Sequence, residues 1–391
     1  MFGNIFTNNK APSYSNETID ILRLIRSENI GPKTFFSLIK FFGSATKALE
    51  NAQDFSLRGG RSKPIKLYSK DSALKELASL EEHNGYLITY KDSNYSELLS
   101  QIPDPPPVLS YKGNISLLNH NKIIAIVGAR NSSINGRSFA SSLSKDLVKA
   151  GYVTASGLAR GIDTSVHSGS ISSTIAVIAG GIDYIYPPEN KNLYAQIAEN
   201  GLLLAELPVG SKPLSQHFPQ RNRIISGLAL ATVVVEAGLK SGSLITANFA
   251  LEQNREVFAA PGFPLDPRCV GSNRLIKNGA YLLENIDDII LNVISKDKLS
   301  DSLKEGAKYF NSLSLDMGNN DIQITDKDRK AVIELLSASE VTIDVIANQL
   351  QLELPILYTI FLELELAGKI SRSAGNKISL IEAFKKANNV L

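Results

Sequence analysis

Six short, unbroken apolar runs, KIIAIV, YVTAS, TIAVIA, GLLLAE, ATVVVEA and EVFAAP, recur between Lys122 and Pro261 at intervals of roughly 20–30 residues. A helical pattern separates successive runs. Strands without a polar face have no side to offer to water, so helices must cover the sheet above and below. Helical crossovers between successive strands also make those strands parallel. The expected fold class is therefore α/β, a Rossmann-like doubly wound, mostly parallel sheet, placed at residues 101–291.

At 391 residues the chain exceeds one ordinary domain, and its flanks read differently. Residues 1–16, MFGNIFTNNKAPSYSN, are polar and expected to be disordered. Residues 17–100 read as a helical region, SAM-like or helix-hairpin-helix. In it the amphipathic TIDILRLIRSEN and IGPKTFFSLIKFFG meet at Ile30-Gly31-Pro32-Lys33-Thr34. Gly suits the turn there and Pro a helix start. Such a turn either packs as a plain hairpin or offers its amides to a DNA backbone, and both readings stay open. The Pro-rich IPDPPPVLSYKG marks an extended entry to the sheet domain, and polar residues 292–324 read as a linker.

Residues 325–391 follow the winged-helix order of three helices and a Gly-turned strand pair. Charge argues about its use. Eight Lys/Arg meet nine Asp/Glu, a net of −1, and the recognition helix by position, Pro355 to Ala367, carries Glu363 and Glu365 and no basic residue. Helices that read a duplex place Arg, Lys, Asn or Gln at base edges and phosphates. A protein-contact or structural role is expected instead.

An apolar content of 43% with 20% charged residues marks a folded, soluble chain. The single cysteine, Cys269, excludes an internal disulfide and fits a reducing compartment. No apolar run approaches the roughly 20 residues needed to span a bilayer, so a cytoplasmic protein without a membrane partner is expected. The net charge of +2 means that any polyanion must be held by local arrangement. Two windows provide one. Pro105 to Lys145 holds no acid but carries Lys112, Lys122, Arg130, Arg137 and Lys145. The stretch between Glu206 and Glu236 holds none either, and carries Lys212, Arg221 and Arg223 behind His217 and Phe218.

Ligands of open parallel sheets bind at the carboxyl ends of the strands, and the marked loops of this chain all fall there. Gly128-Ala129-Arg130 follows the first run, where glycine lets the backbone approach an anion and the next helix offers amides to phosphate. Ser156-Gly157-Leu158-Ala159-Arg160-Gly161-Ile162-Asp163 follows the second, and Gly180-Gly181 the third. Arg221-Asn222-Arg223 opens the helix before the fifth. Glu236, Ser241-Gly242-Ser243 and Thr246 come after it. Singly, each has an ordinary reading as a tight turn, a helix cap or a solvated arginine. Together, four glycine turns and four arginines on one rim favour a phosphate-bearing ligand. Two arginines, an asparagine and an aromatic ring at one helix start suit a nucleic-acid strand in particular. The pattern is not GxGxxG, and no acid clearly closes the second strand, which weakens a dinucleotide reading.

Catalytic signals are sparse. The four histidines, His83, His120, His167 and His217, include no pair at metal-ligand spacing, Cys269 has no CxxC partner, and no GxSxG elbow occurs. Asp163 and Asp183 fit helix caps or acceptors for loop amides. Glu236 is the carboxylate best placed for chemistry, and organising a loop is its alternative use. No catalytic residue, metal or cofactor is expected.

The run of IVGARNSSINGRSFA, SGLARGIDTSVH, TIAVIAGGIDYIYPPENKNLY, FPQRNRIISGLA, VVVEAGLKSGSLITA, VFAAPG and GSNRLIKNGA resembles the DNA-processing protein A (DprA/Smf) family. The resemblance is dense from about 103 to 283, and the SAM-like and winged-helix flanks match that family's layout. It implies a mediator that binds single-stranded DNA without catalysis, protects it during natural transformation, helps load RecA recombinase, and forms a homodimer through the Rossmann-like domain. The implied DNA pocket uses Gly128, Arg130, Ser156, Gly157, Arg160, Phe218, Arg221, Asn222, Arg223, Ser241, Gly242 and Ser243. Gly180 and Gly181 join them from the rim. Two departures from the family pattern stand out: Asn135 replaces a usual aromatic, and Ala179 a usual glycine.

Two other functions remain open at this point. Related Rossmann-like folds hydrolyse the N-glycosidic bond of nucleoside monophosphates with a PGGxGTxxE loop, where this chain reads EAGLKSGSLITA. A sensor that binds a small nucleotide is the third.

Overall fold

A computed structural model of the chain describes residues 14–293, 324–373 and 377–381. Positions 1–13 of the polar start and 294–323 of the linker, both read from sequence, lie outside the described residues. The chain forms two compact units. One spans 76–314, and the other combines residues 1–75 with 315–391.

Three helices open the second of these units: α1 (Asn16–Ile25), α2 (Pro32–Phe42) and α3 (Ala45–Arg58). Side-chain caps start two of them, Ser15 Oγ accepting from Thr18 N and Ser44 Oγ from Lys47 N. Gly31 precedes Pro32 at the first helical position of α2, as the sequence suggested. Leu22, Leu24, Phe35 and Leu38 are fully buried, each contributing about 1.5–3 kcal/mol by transfer from water. Helix α4 (Lys70–Glu82) then leads to the sheet.

The sheet unit has nine strands: β1 (Tyr86–Thr89), β2 (Val108–Gly113), β3 (Ile123–Val127), β4 (Val153–Ser156), β5 (Thr174–Ile178), β6 (Leu202–Ala205), β7 (Ala231–Val234), β8 (Glu256–Ala259) and β9 (Tyr281–Leu282). Their order is β1-β2-β6-β5-β4-β3-β7-β8-β9, with β6 to β9 parallel throughout and β1 and β2 antiparallel. All six apolar runs are strands. β1 lies within the region read from sequence as helical, and it pairs with β2 from Tyr86 opposite Tyr111 to Thr89 opposite Val108. Four residues are too few for periodicity to reveal.

Helices α5 (Glu97–Ser100), α6 (Ile134–Lys149), α7 (Ile162–Gly169), α8 (Lys191–Asn200), α9 (His217–Gly227), α10 (Gly242–Glu252) and α11 (Val270–Lys277) connect these strands. The alternation of strand side chains divides the interior into two cores. Ile123, Ala125 and Val127 of β3 enter one, and Ile124 and Ile126 the other. The chain runs outward from β3 through β4, β5 and β6, then returns to lay β7 on the opposite side of β3. The topological switch point therefore falls between β3 and β7, where the loops beyond their carboxyl ends diverge.

The winged-helix elements are α12 (Asp326–Leu335), β10 (Val341–Thr342), α13 (Ile343–Leu350), α14 (Leu354–Leu366), β11 (Ile370–Ser373) and β12 (Lys377–Leu380), with sheet order β10-β12-β11. Thr325 and Asp328 close a capping box on α12. Helix α14 packs on α2 and α3. Its two acids are buried and occupied: Glu363 accepts from Arg329 Nε and Nη2 at 2.7 and 3.0 Å, and Glu365 from Arg372 Nε at 2.8 Å. Asn29 Nδ2 donates to Leu366 O at 3.2 Å. The helix that would read a duplex is thus a packing element of this unit. No single helix among the described residues is long and apolar enough to cross a membrane.

Candidate nucleic-acid interface

A cleft of about 520 Å³ opens at the switch point. Its walls are the loop after β3 (Gly128, Ala129, Arg130, Asn131), the first turns of α9 (Phe218, Pro219, Arg221, Asn222), the loop into α10 (Gly238, Lys240, Ser241, Gly242, Ser243), and Pro267 and Arg268 from the loop after β8. Arg130, Arg221, Lys240 and Arg268 set its charge, and Asp163 is the single acid in its lining.

Arg130 is exposed and lies over the Phe218 ring, its guanidinium carbon 4.9 Å from the ring centroid. This cation–π stack sets a charge over one face of an aromatic ring. Gly128 is obligatory behind them, because a Cβ there would meet Ile162 Cγ1 at 2.5 Å. Asn222 Nδ2 donates to Gly242 O at 3.3 Å, joining α9 to the α10 loop. Ser241 Oγ lies 2.7 Å from Ser243 Oγ at the start of α10.

Arg221 lines the cleft floor but is only 6% exposed. Its Nη1 donates to Gly157 O at 2.6 Å and to Val177 O, and its Nε donates to Asn222 Oδ1 at 3.2 Å. Burial, opposed by Asp163, lowers its pKa to about 10, so it stays charged at neutral pH. Burial also raises the Asp163 carboxyl, against the pull of Arg221 and of amides that include Ala159 N at 3.3 Å. Where the sequence suggested a phosphate contact, Arg221 is spent on carbonyls. Its work is to fix the loop after β4 and to aim Asn222. Gly157 leaves room for it, since a Cβ there would sit 2.5 Å from the guanidinium.

Six of the DNA-binding residues chosen from sequence, Gly157 among them, do not line the cleft. Arg223, 6% exposed, binds Glu206 and the Asp104 carbonyl and carboxylate. It faces away because α9 carries alternate residues to different sides. Ser156 is buried and donates to Ile126 O at 2.7 Å, tying β4 to β3. Gly180 and Gly181 are buried against the 208–213 loop, where a Cβ would meet Ser211 O at 2.8 Å or Pro208 O at 2.5 Å. Arg160 lies outside the lining and pairs with Glu189 at 2.8 Å. Glu236 accepts from Ser133 N at 2.8 Å and Ser133 Oγ at 2.5 Å, so its carboxylate organises the start of α6. Asp183 accepts from Gly210 N at 2.9 Å.

Sequence reasoning passed over Asn131, Lys240 and Arg268. Arg268 stands on the loop after β8, the strand next to β7, and a lone arginine at that strand end is its signal in the sequence. Arg268 is held by Asp266 through Nη2–Oδ2 at 2.7 Å and Nε–Oδ1 at 3.0 Å.

Behind the cleft, His167 is fully buried, with Nε2 3.3 Å from Leu158 N and Nδ1 2.8 Å from Thr174 Oγ1. Burial first, and then the charge of Arg221, lower its pKa to about 3. The unfolded chain takes up a proton near pH 6.5 that the folded chain refuses, so stability is lost as pH falls from about 6.5 towards 3. The expected slope is about 1.4 kcal/mol per pH unit. The raised carboxyl of Asp163 acts in the opposite sense at the acid end. Denaturant titrations across this range should give a shallower slope for His167→Gln than for the parent, and equal slopes would contradict the buried neutral imidazole.

An open, mostly parallel sheet with a cationic, glycine-lined cleft at its switch point defines a Rossmann-like domain, and sequence comparison places it more narrowly. Residues 86–294 match the family model for DNA recombination-mediator protein A, residues 15–79 a DprA-like N-terminal HHH domain, and residues 320–376 a DprA winged helix domain. The chain belongs to this DprA/Smf family. Protein Smf of Synechocystis is 44% identical over 230 residues, which are 56% of this chain and 57% of that protein. The X-ray structure of DprA from Streptococcus pneumoniae matches with a TM-score of 0.59 and 33% identity, over 72% of this chain and 98% of that one. A DprA structure from Helicobacter pylori, described for its single-stranded-DNA binding mode, matches with a TM-score of 0.50 and 29% identity, over 54% and 96%.

Proposed function

We propose that this protein binds single-stranded DNA in the switch-point cleft, without turning it over, and acts as a recombination mediator. The observation that carries this reading is the Arg130–Phe218 stack at the cleft mouth. A free strand needs both of its parts, a cation for phosphate and a flat face for an unpaired base. Lys240 and Arg268 add charge to the lining, and the backbone at Gly242, where a Cβ would meet nothing within 4 Å, leaves space for phosphate. Ser241, Ser243 and Asn222 supply polar groups between them. The single-stranded-DNA binding mode described for the H. pylori relative supports the same ligand.

Family membership supports the wider role: protecting incoming strands in the cytoplasm during natural transformation, helping to load RecA recombinase, and working as a homodimer through the sheet unit. The commitment of Glu236 to Ser133 speaks against a glycosidic hydrolase built on that carboxylate.

Fluorescent oligo-dT titrations, single- and double-stranded, at two salt concentrations test the reading. Tight, salt-sensitive binding that prefers the single strand is expected. Arg130→Glu should lose binding. Phe218→Ala should weaken it by about 1–3 kcal/mol, the value of one base stack, with little change in salt slope. Normal binding by Arg130→Glu would move the site elsewhere.

A further inference from the structure

We propose that Tyr186 is a second base-stacking platform, and that the strand leaves the cleft across it towards Arg160. This inference rests on the single-strand reading of the cleft. The Tyr186 ring lies 5.6 Å from that of Phe218, inclined by 61°. Phe218 is half-buried and already carries Arg130 on its ring, whereas Tyr186 is 42% exposed. Arg130, Phe218 and Tyr186 therefore form a continuous row, cation, ring, ring, that begins inside the cleft and ends outside its walls.

A further cation is tied to the segment that carries Tyr186. Tyr186 stands three positions before Glu189, which holds Arg160 at 2.8 Å. Both partners of that pair are open to water, with side chains 62% and 58% exposed, so it is weakly held. A phosphate can take over the guanidinium, because a two-bonded arginine fork adds energy and geometry that the single Arg160–Glu189 contact lacks. Two aromatic rings and two arginines on one path supply the two contacts a single strand needs, ring surface for unpaired bases and cations for phosphates. Bases in a duplex are stacked on each other and have no face to offer such a row, which suits it to unpaired nucleotides. Beyond its contact with Phe218, Tyr186 leaves aromatic surface open to water, and Arg160 gains a use although it lies outside the cleft.

The test uses the full chain and fluorescent oligo-dT of roughly 16 nucleotides, long enough to pass beyond a single cleft. Tyr186→Ala and Tyr186→Leu should each lower affinity about tenfold at unchanged salt slope, whereas Tyr186→Phe, which keeps the flat face, should bind like the parent. Leucine keeps bulk beside Phe218, so its loss cannot be assigned to a collapsed loop. Arg160→Gln should lower the salt slope by about 0.7, the value of one phosphate contact on a single strand. Parent-like binding by Tyr186→Leu and Arg160→Gln, with binding abolished in Arg130→Glu, would overturn the exit path and leave the cleft standing. A Tyr186→Phe variant as weak as Tyr186→Ala would overturn stacking. Failure of the parent to bind any oligonucleotide would overturn the cleft reading and this path together.

Discussion

Arg221→Glu should unfold the sheet unit instead of merely emptying its cleft. The guanidinium is buried, satisfies Gly157 O and Val177 O, and stands against the buried Asp163. Removing one member of a buried, hydrogen-bonded charge set costs about 3–5 kcal/mol, because the groups left behind keep their desolvation penalty. Reversing the charge adds repulsion from Asp163. Such a loss is a large share of the roughly 5–15 kcal/mol that holds a domain folded. The informative comparison is Arg130→Glu, whose side chain is exposed and should melt like the parent while losing DNA. Calorimetry on the two variants separates a floor from a contact. If Arg221→Glu melts like the parent and only binding falls, the guanidinium reaches solvent and is a direct ligand.

The second large effect concerns Gly59, in the other unit. A Cβ there would lie well inside contact distance of the Glu363 carbonyl oxygen and 2.8 Å from Ala367 Cβ, and both neighbours belong to α14 or its end. Backbone cannot swing aside as a flexible side chain does, so Gly59→Val should part α3 from α14 and destabilise this unit by at least about 3 kcal/mol. Hydrogen exchange should show protection lost in both α3 and α14, two segments remote in sequence. Loss confined to α3 would mean that α14 is held by other contacts. The same seam changes what a truncation tells. From charge alone, removing 325–391 is expected to leave single-strand affinity intact. The structure adds that the cut strips the cover from α2 and α3. Aggregation of the truncated chain would then report an uncovered apolar face, and Gly59→Val at low temperature is the cleaner probe.

These cases mark where reading a sequence works. The six parallel strands were visible because each is apolar on both faces, a pattern that few other structures produce. The rim was visible because glycine and arginine after such strands have few other reasons to cluster. What the letters could not give was direction. Arg221 and Arg223 stand two positions apart on one helix, and the fold turns the first under the cleft and the second towards Asp104 and Glu206. Arg130 looked no different from either, yet it is the one left exposed over Phe218. Lys240 and Arg268 needed the strand order, since only the adjacency of β3, β7 and β8 shows that their loops share a cleft. Tyr186 needed the ring geometry. The acidic recognition helix ran the other way: its lack of basic residues argued against DNA reading, and Glu363 and Glu365 proved to be occupied by Arg329 and Arg372.

The pairing of α14 with α2 and α3 also has a consequence for how the chain is made. Asn29 and Leu366 meet although 337 positions separate them. At a synthesis rate of about 5–20 residues per second, the first helices wait roughly 20–70 s on the ribosome before their partner emerges. Through that interval the faces that α14 will cover stay bare, while the sheet between them can already fold. In a nascent chain of this protein the faces of α2 and α3 should therefore stay sticky from their own emergence until Leu354–Leu366 has been translated.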